Sequence, residues 1–287
     1  MRGRRYGEAG LGMRWHPRVD LEYRHTMGTE VIEPQSIRNV TIVGDPDDTA
    51  RVVHRLLRGF TTTGTGTSAT VRWVTDHVEH TIRIAELSSH APIATLERSI
   101  RVADGVIAVM NAARASTARL EAVLRIADDH QVARLCLVTG LDHRAADFDR
   151  CVRTIAATHG AVPLTLHIPH GIGTEFEGAI DLIPMGSLEP MAAASYGSHW
   201  KVAEQRYRVL MDQVVDRNAT DPNILGPRQL PPEQLHDRVR RLTHIGDAAP
   251  VLCDATPRNH IAPLLDAIVR YLPSPMHVCQ PEHALDY

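Results

Sequence analysis

Short apolar runs alternate with amphipathic stretches along most of this chain. Four runs have the length and end in the turn residues that are typical of buried strands in a parallel sheet; they are RNVTIVGD, GVIAVMN, RLCLVTG and PVLCDAT. Apolar residues recur at helical spacing between them, which predicts helices at Thr95–Val102, Thr117–His130, Phe148–Ala157 and in IAPLLDAIVRYL. Repeated strand–helix units of this spacing predict an α/β fold with a doubly wound, mostly parallel sheet.

The alternation stops after Gly160 and resumes at PVLCDAT. VPLTLHI and GAIDLIPM are predicted strands, and helices are predicted at about Lys201–Asn218 and Pro232–Ile245. We therefore expect one α/β domain, formed by residues 37–159 and 249–275, with an α+β insert at 160–248. Residues 1–36 lack a sustained period and are predicted to be a flexible extension, in which Met27 is a second candidate start. Residues 276–287 are a predicted tail.

The first strand is followed by a turn and a helix, which is the context that a phosphate-binding loop needs. Asp47 and Asp48 stand where a helix N-cap is expected, and apolar residues follow at helical spacing. Beyond that helix, TTTGTGTSAT is a predicted loop that leads into two extended segments, ATVRWVT and HTIRIAE.

Composition narrows the function classes. The chain has 31 basic and 34 acidic residues, a formal net charge of −3, so direct DNA binding has no electrostatic support. No apolar run approaches the roughly 20 residues that span a bilayer, and four scattered cysteines indicate neither disulfides nor a zinc site. We expect a cytoplasmic location and no membrane contact. Lys201 is the single lysine, so chemistry that needs a lysine elsewhere is excluded.

Five segments carry a family resemblance. RNVTIVGDPDDTA, SSHAPIATLERSIRVADGVIAVMNA, LVTGLDHRAADFDRCVRTI, VPLTLHIPHG…FEGAIDLIPM and PVLCDATPRN…IAPLLDAIVRYLPSP match, in order, segments of one family. Across about Ile37–Pro275 the chain resembles the GTP-binding domain of bacterial elongation factor G. The resemblance implies a P-loop GTPase type of fold, with 160–248 as the family's G-prime insert.

The resemblance places the nucleotide site at the first strand–helix turn, where the motif has degenerated. Gly44 and Asp47 match the start of the phosphate loop. Thr49 stands in place of its second glycine, Ala50 in place of the lysine and Arg51 in place of the Mg²⁺-binding threonine. The turn is also acidic, which disfavours a polyphosphate.

The other nucleotide motifs are equally altered. Most of switch I is deleted, and Thr61 is a candidate for its vestige. The segment Glu86–His90 stands for DxxGH and brings His90 to the place of the family's water-positioning histidine. The guanine-reading motif keeps only Asp142, and Ala255 lies in the last base-contacting segment. Two plainer interpretations remain open: His90 as a surface or helix-start histidine, and Asp142 as a helix N-cap or turn residue.

These losses decide the expected function. Charge-assisted hydrogen bonds contribute roughly 1.5–3 kcal/mol each, so losing four of them removes about 6–12 kcal/mol of the roughly 12 kcal/mol in nanomolar binding. We expect neither tight GTP and Mg²⁺ binding nor a metal site. The leading hypothesis is a pseudo-GTPase that acts as a translation-linked binding module, contacting the ribosomal stalk through the insert. The family's later domains have no room in 287 residues, so translocation is not expected.

Two alternatives stay open. One is a weak or atypical GTP-binding switch that uses His90 and Asp142 as remnants, and only there do GTP and Mg²⁺ serve as cofactors. The other is a former nucleotide cleft adapted to another small ligand. The apolar stripe on the 201–218 helix is interpreted as its packing face; its members are Ala203, Tyr207, Leu210, Met211 and Val214.

Overall fold

A computed structural model describes residues 33–59, 62–63, 68–114, 118–158, 160–187, 197–215, 230–254 and 261–278. Predictions about Met27, Thr61 and Ala255, and about most of the extension and tail, lie outside these segments. The strands are β1 (Ile37–Gly44), β2 (Thr62–Thr63), β3 (Ser68–Thr75), β4 (Val78–Ser88), β5 (Gly105–Asn111), β6 (Ala133–Thr139), β7 (Val162–Thr165), β8 (His167–His170), β9 (Gly178–Asp181) and β10 (Ala248–Cys253). The helices are α1 (Pro46–Gly59), α2 (Ile93–Arg101), α3 (Ala118–Asp129), α4 (Phe148–Ala157), α5 (His199–Val214), α6 (Pro232–His244) and α7 (Ala262–Tyr271).

Eight of the described strands form one sheet in the order β2-β3-β4-β1-β5-β6-β10-β7. Every pairing from β4 to β7 is parallel, and the β2-β3-β4 edge is antiparallel. The predicted α/β class with a mostly parallel sheet is therefore confirmed. A separate antiparallel hairpin pairs β8 with β9.

Both faces of the sheet are covered. Val40 and Ile42 of β1 belong to the larger apolar cluster, whereas the next residue, Val43, packs with residues of α2 and α3 in a second cluster. Since neighbouring residues of a strand point to opposite faces, the two clusters lie on opposite sides of the sheet. The central strand β6 is buried along its whole length, which explains its unbroken apolar run.

The predicted strand VPLTLHI is divided in the structure. Leu166 separates β7 from β8: its N–H donates to Val251 in β10, and its carbonyl accepts from Leu182 beyond β9. The first half therefore extends the main sheet, while the second half pairs with β9. The predicted strand GAIDLIPM is also shorter in the structure: the strand ends at Asp181, and a 3₁₀ turn follows at Ile183–Ser187.

The helices agree well with the pattern. Phe148–Ala157 is helical over the predicted residues. The predicted helix from Lys201 is α5, whose stripe of five apolar residues is buried as expected. No helix in the described part of the chain is long and apolar enough to cross a membrane.

Candidate functional site

The turn between β1 and α1 is only one residue long. Asp45 alone separates the two elements, and α1 begins at Pro46, where proline is favoured because a first helical N–H has no intrahelical partner. Gly44 is tightly packed at this point: a Cβ there would lie 2.8 Å from the Val109 carbonyl oxygen of β5. The backbone is therefore helical from Pro46 onward, whereas a phosphate loop needs these positions to form an open, non-helical loop.

The amide groups of this turn are already used. A carboxylate oxygen of Asp45 accepts from the Asp47 N–H at 3.1 Å. The Asp45 carbonyl accepts from the N–H groups of Asp48 and Thr49 at 3.0 and 2.9 Å. Asp45 therefore caps the helix, and the expectation that Asp47 or Asp48 does so is wrong, because α1 starts two residues earlier than the pattern suggested. The amides of residues 47–49 are not left to face a phosphate.

Asp48 is a buried acid with partners inside the protein. Its side chain is 2 % exposed and accepts from the Asn111 side-chain amide, which lies 2.9 and 3.1 Å from its two oxygens. Arg51 and Arg114 lie 3.3 and 3.9 Å from the same carboxylate. The carboxylate is thus compensated within the fold, and a second anion here would meet a buried negative charge.

Thr49 connects the turn to the end of β4. Its buried hydroxyl lies 3.0 Å from a carboxylate oxygen of Glu86, and the charged acceptor makes this the strongest bond open to its single proton. The Ser89 N–H donates to the Gly44 carbonyl at 2.8 Å. The backbone at the DxxG position is therefore bonded to β1 itself.

The remaining phosphate-loop positions face solvent. Asp47 and Ala50 are exposed on the first turns of α1, and the Arg51 side chain is 63 % exposed beside Asp48. The structure does not bring these side chains together as a cradle.

His90 and Asp142 lie in exposed turns. His90 precedes α2 by two residues, and its backbone N–H donates to the Ser88 hydroxyl at 3.1 Å. Asp142 follows β6, but the cap of α4 is Asp147, which accepts from the Arg150 N–H at 2.8 Å. The N-cap interpretation of Asp142 is therefore wrong, and the turn interpretation agrees with its position.

Gly140 keeps β6 close to β5 at this edge. Its φ of +69° favours glycine, and a Cβ there would lie 2.5 Å from the Asn111 side-chain oxygen. Asn111 thereby sits between the turn after β6 and the buried Asp48.

An ion pair joins α1 to the end of β10. Arg55 of α1 makes a bidentate contact with Asp254 at the end of β10, at 2.6 and 2.5 Å. The two side chains are 19 % and 9 % exposed. Asp254 begins the segment in which Ala255 was predicted to contact a base, and here its carboxylate is committed to an arginine of the protein.

A small, partly open cleft of about 50 Å³ remains beside this network. Its lining includes two acids, Asp45 and Asp48, and two arginines, Arg114 and Arg150. Arg114 lies 3.5 Å from Asp45, and Arg150 donates to the Ala112 carbonyl at 2.7 Å. Among the described residues, no group of three or more His, Cys, Asp or Glu side chains is placed to hold a metal ion.

Comparisons with known proteins agree with this architecture. The model of the elongation factor Tu GTP binding domain matches residues 88–274. Elongation factor G of Fervidobacterium nodosum is 34 % identical over 231 residues, which are 76 % of this chain and 32 % of that protein. The chain thus spans about a third of the length of this curated relative. A crystal structure of a Thermus thermophilus protein superposes with a TM-score of 0.64 at 18 % identity, over 84 % of this chain and 41 % of that one.

Proposed function

Because this chain belongs to the family of the elongation factor Tu GTP binding domain, we propose that it is a pseudo-GTPase that serves translation as a protein-binding module. The observation that carries the proposal is the one-residue turn between β1 and α1. A GTPase of this fold holds phosphates with free backbone amides, a lysine and a Mg²⁺-binding hydroxyl. Here the amides of residues 47–49 are bonded to Asp45.

Charge strengthens the argument. The buried Asp48 lies where a polyphosphate would have to approach, and the chain's single lysine, Lys201, lies on α5. A bound nucleotide would have to break the Thr49–Glu86 and Arg55–Asp254 contacts or avoid them. We therefore propose that neither GTP nor Mg²⁺ is a cofactor of this chain.

A specific observation supports one alternative, a cleft adapted to another small ligand. The cleft beside Asp45 is lined by Arg150, whose Nε is buried and lacks a hydrogen-bond partner within the described segments. A buried donor of this kind favours an acceptor from a bound molecule or from water. The other alternative, a weak GTP-binding switch, is supported only by His90 and Asp142, both of which are exposed.

Thermal unfolding with nucleotides tests the proposal. A ligand at 100 times its dissociation constant adds about 2.7 kcal/mol of stability. We expect no change in melting temperature with GTP, GDP or ATP at about 1 mM, with or without Mg²⁺. A Mg²⁺-dependent rise of several degrees with a guanine nucleotide would support the switch and refute the pseudo-GTPase.

The exposed face of α5 supports a partner-binding role. Val202 and Val209 are 50 % and 46 % exposed, and they lie two turns apart on the same side of the helix. Exposed Gln205 and Arg208 lie with them on this side, while Tyr207 faces the core. We propose that this face contacts the C-terminal domain of the ribosomal stalk, as the family's insert does.

Substitution on α5 tests the contact. Val202→Asp and Arg208→Glu should each weaken micromolar binding to the stalk domain about tenfold, because they place negative charge on the face. Val102→Asp is the matched control, since Val102 is 76 % exposed and follows α2. Binding should be the same with GTP and GDP. Absence of binding at tens of micromolar, or equal loss in the control, would refute the stalk contact.

A further inference from the structure

A second cavity lies away from the β1–α1 turn. It is a partly open cavity of about 150 Å³ between the end of β10, the β8–β9 hairpin, α6 and α7. Six polar side chains among the described residues line it: His167, Asp181, His236, Asp266, Arg270 and Tyr271. None of them belongs to the network around Asp48, so its chemistry is independent of the proposed function.

A hydrogen-bond chain fixes the proton positions on one wall. Arg270 has only N–H groups, so at 3.3 Å it donates to Nε2 of His236. Burial and the charge of Arg270 lower the pKa of His236, which is therefore neutral at pH 7 and carries its proton on Nδ1. This Nδ1–H donates to the Tyr271 hydroxyl oxygen at 2.6 Å. Arg270 also lies 3.4 Å from Asp76, outside the cavity.

The other wall presents acceptors. Burial lowers the pKa of His167, and a backbone hydrogen bond with Cys253 uses the proton of the neutral ring. Its Nδ1 is buried and has no partner among the residues placed by the structure. Asp181, which is exposed at the end of β9, accepts from the Ile183 N–H at 2.9 Å through one oxygen, so the second oxygen is left for another donor.

The described walls of the cavity carry more negative than positive charge. Asp181 and Asp266 both line it, and Asp266 accepts a neutral hydrogen bond from the Trp73 indole at 2.8 Å. The one arginine on the walls is drawn toward Asp76 and His236. A ligand that supplies positive charge and N–H donors would satisfy both Nδ1 of His167 and the second oxygen of Asp181.

We propose that this cavity binds a small organic cation that carries N–H donors, an ammonium or guanidinium group. The cation lies between His167 and Asp181. A cavity of about 150 Å³ has room for a group of this size, since one water molecule needs only about 10–15 Å³ by the same measure.

Calorimetric titration of the full chain with methylammonium and with methylguanidinium tests the site and distinguishes the two groups. We expect at least one to bind with a dissociation constant near 1 mM, and tetramethylammonium, which has charge but no N–H, to bind at least about tenfold more weakly. Asp181→Asn should weaken binding about tenfold, because it removes the charge and keeps an acceptor for the Ile183 amide. Asp237→Asn, a charge-matched change on the exposed side of α6, should leave binding unchanged.

Nuclear magnetic resonance of the imidazole nitrogens supplies a second readout that does not depend on a variant. Binding should shift the Nδ1 resonance of His167 as this atom gains a donor. If neither probe binds at about 20 mM, the cavity is not a cation site, and if tetramethylammonium binds equally well, the N–H donors are not recognised; either result would overturn the proposal. An unshifted His167 resonance during saturable binding would place the cation elsewhere and overturn the assignment.

Discussion

Restoring the three lost phosphate-loop residues should destabilise this protein without creating a nucleotide site. The triple variant Thr49→Gly, Ala50→Lys and Arg51→Thr recreates the motif in sequence. All three positions, however, lie in the first two turns of α1, which begins at Pro46. The new glycine and lysine would therefore stand on a helix, and the backbone would not curve around a phosphate.

The cost follows from what each side chain contacts. Replacing threonine by glycine inside a helix costs about 0.3–0.5 kcal/mol in helix propensity, and the hydroxyl bond from Thr49 to Glu86 contributes about 1.5–3 kcal/mol. Arg51 is 63 % exposed, so its ion pair with Asp48 contributes less than about 1 kcal/mol. Ala50 is exposed, and lysine is a good helix former there. We expect a loss of about 2–4 kcal/mol in the free energy of unfolding.

Urea unfolding followed by circular dichroism measures the loss, and phosphate release from GTP measures activity. Ala50→Lys alone is the matched control, with a stability change below about 0.5 kcal/mol and no activity. Turnover of GTP by the triple variant would refute the reasoning, since it would show that the turn can open. A triple variant as stable as the parent would contradict the contacts assigned to Thr49.

Three further results are expected. Burial and the charge of Arg240 lower the pKa of His244 to about 4, whereas the unfolded value is near 6.5. Because the unfolded chain binds a proton that the folded protein excludes, stability should fall from pH 7 to pH 5. His244 should contribute about 1 kcal/mol of this loss, since solvent screens its partly exposed ring, and His244→Gln should remove that part in urea titrations at the two pH values. His80, His167 and His236, whose pKa values burial also lowers, should account for the loss that remains. Arg55→Met should lower the free energy of unfolding by about 3 kcal/mol in the same assay, because it leaves the Asp254 carboxylate without its counter-charge. Combining it with Asp254→Leu should restore part of this stability. If the double variant regains none, the contribution assigned to the ion pair is wrong. Asp147→Ala should cost about 1 kcal/mol through loss of the α4 cap, and an unchanged melting temperature would contradict it.

The sequence predicted elements whose signal is local. Helix α4 has an apolar face of Phe148, Cys151 and Ile155, with an acidic cap before it. Strand β6 is buried on both faces, so its apolar run stands out from its neighbours. In both cases the spacing of apolar residues carries the whole prediction.

The missed features depend on contacts between distant segments. VPLTLHI is mostly apolar, and nothing in it shows that the chain passes from one sheet to another at Leu166. The N-cap was displaced to Asp45 because the sequence does not reveal how soon after β1 the helix starts. Arg55 and Asp254 are 199 positions apart, and only the folded sheet brings them together. Asp48 was recognised as an acidic residue of the turn, but its bond to Asn111 was not.

Calorimetric titration with GTP, in the presence and absence of Mg²⁺, tests the central claim most directly. An elongation factor G of full length serves as the positive control under the same conditions. We predict no saturable heat for this chain up to about 1 mM GTP, because the amides of residues 47–49 and the Glu86 carboxylate are bonded within the protein. Saturable, Mg²⁺-dependent binding of GTP below about 1 mM would contradict the account.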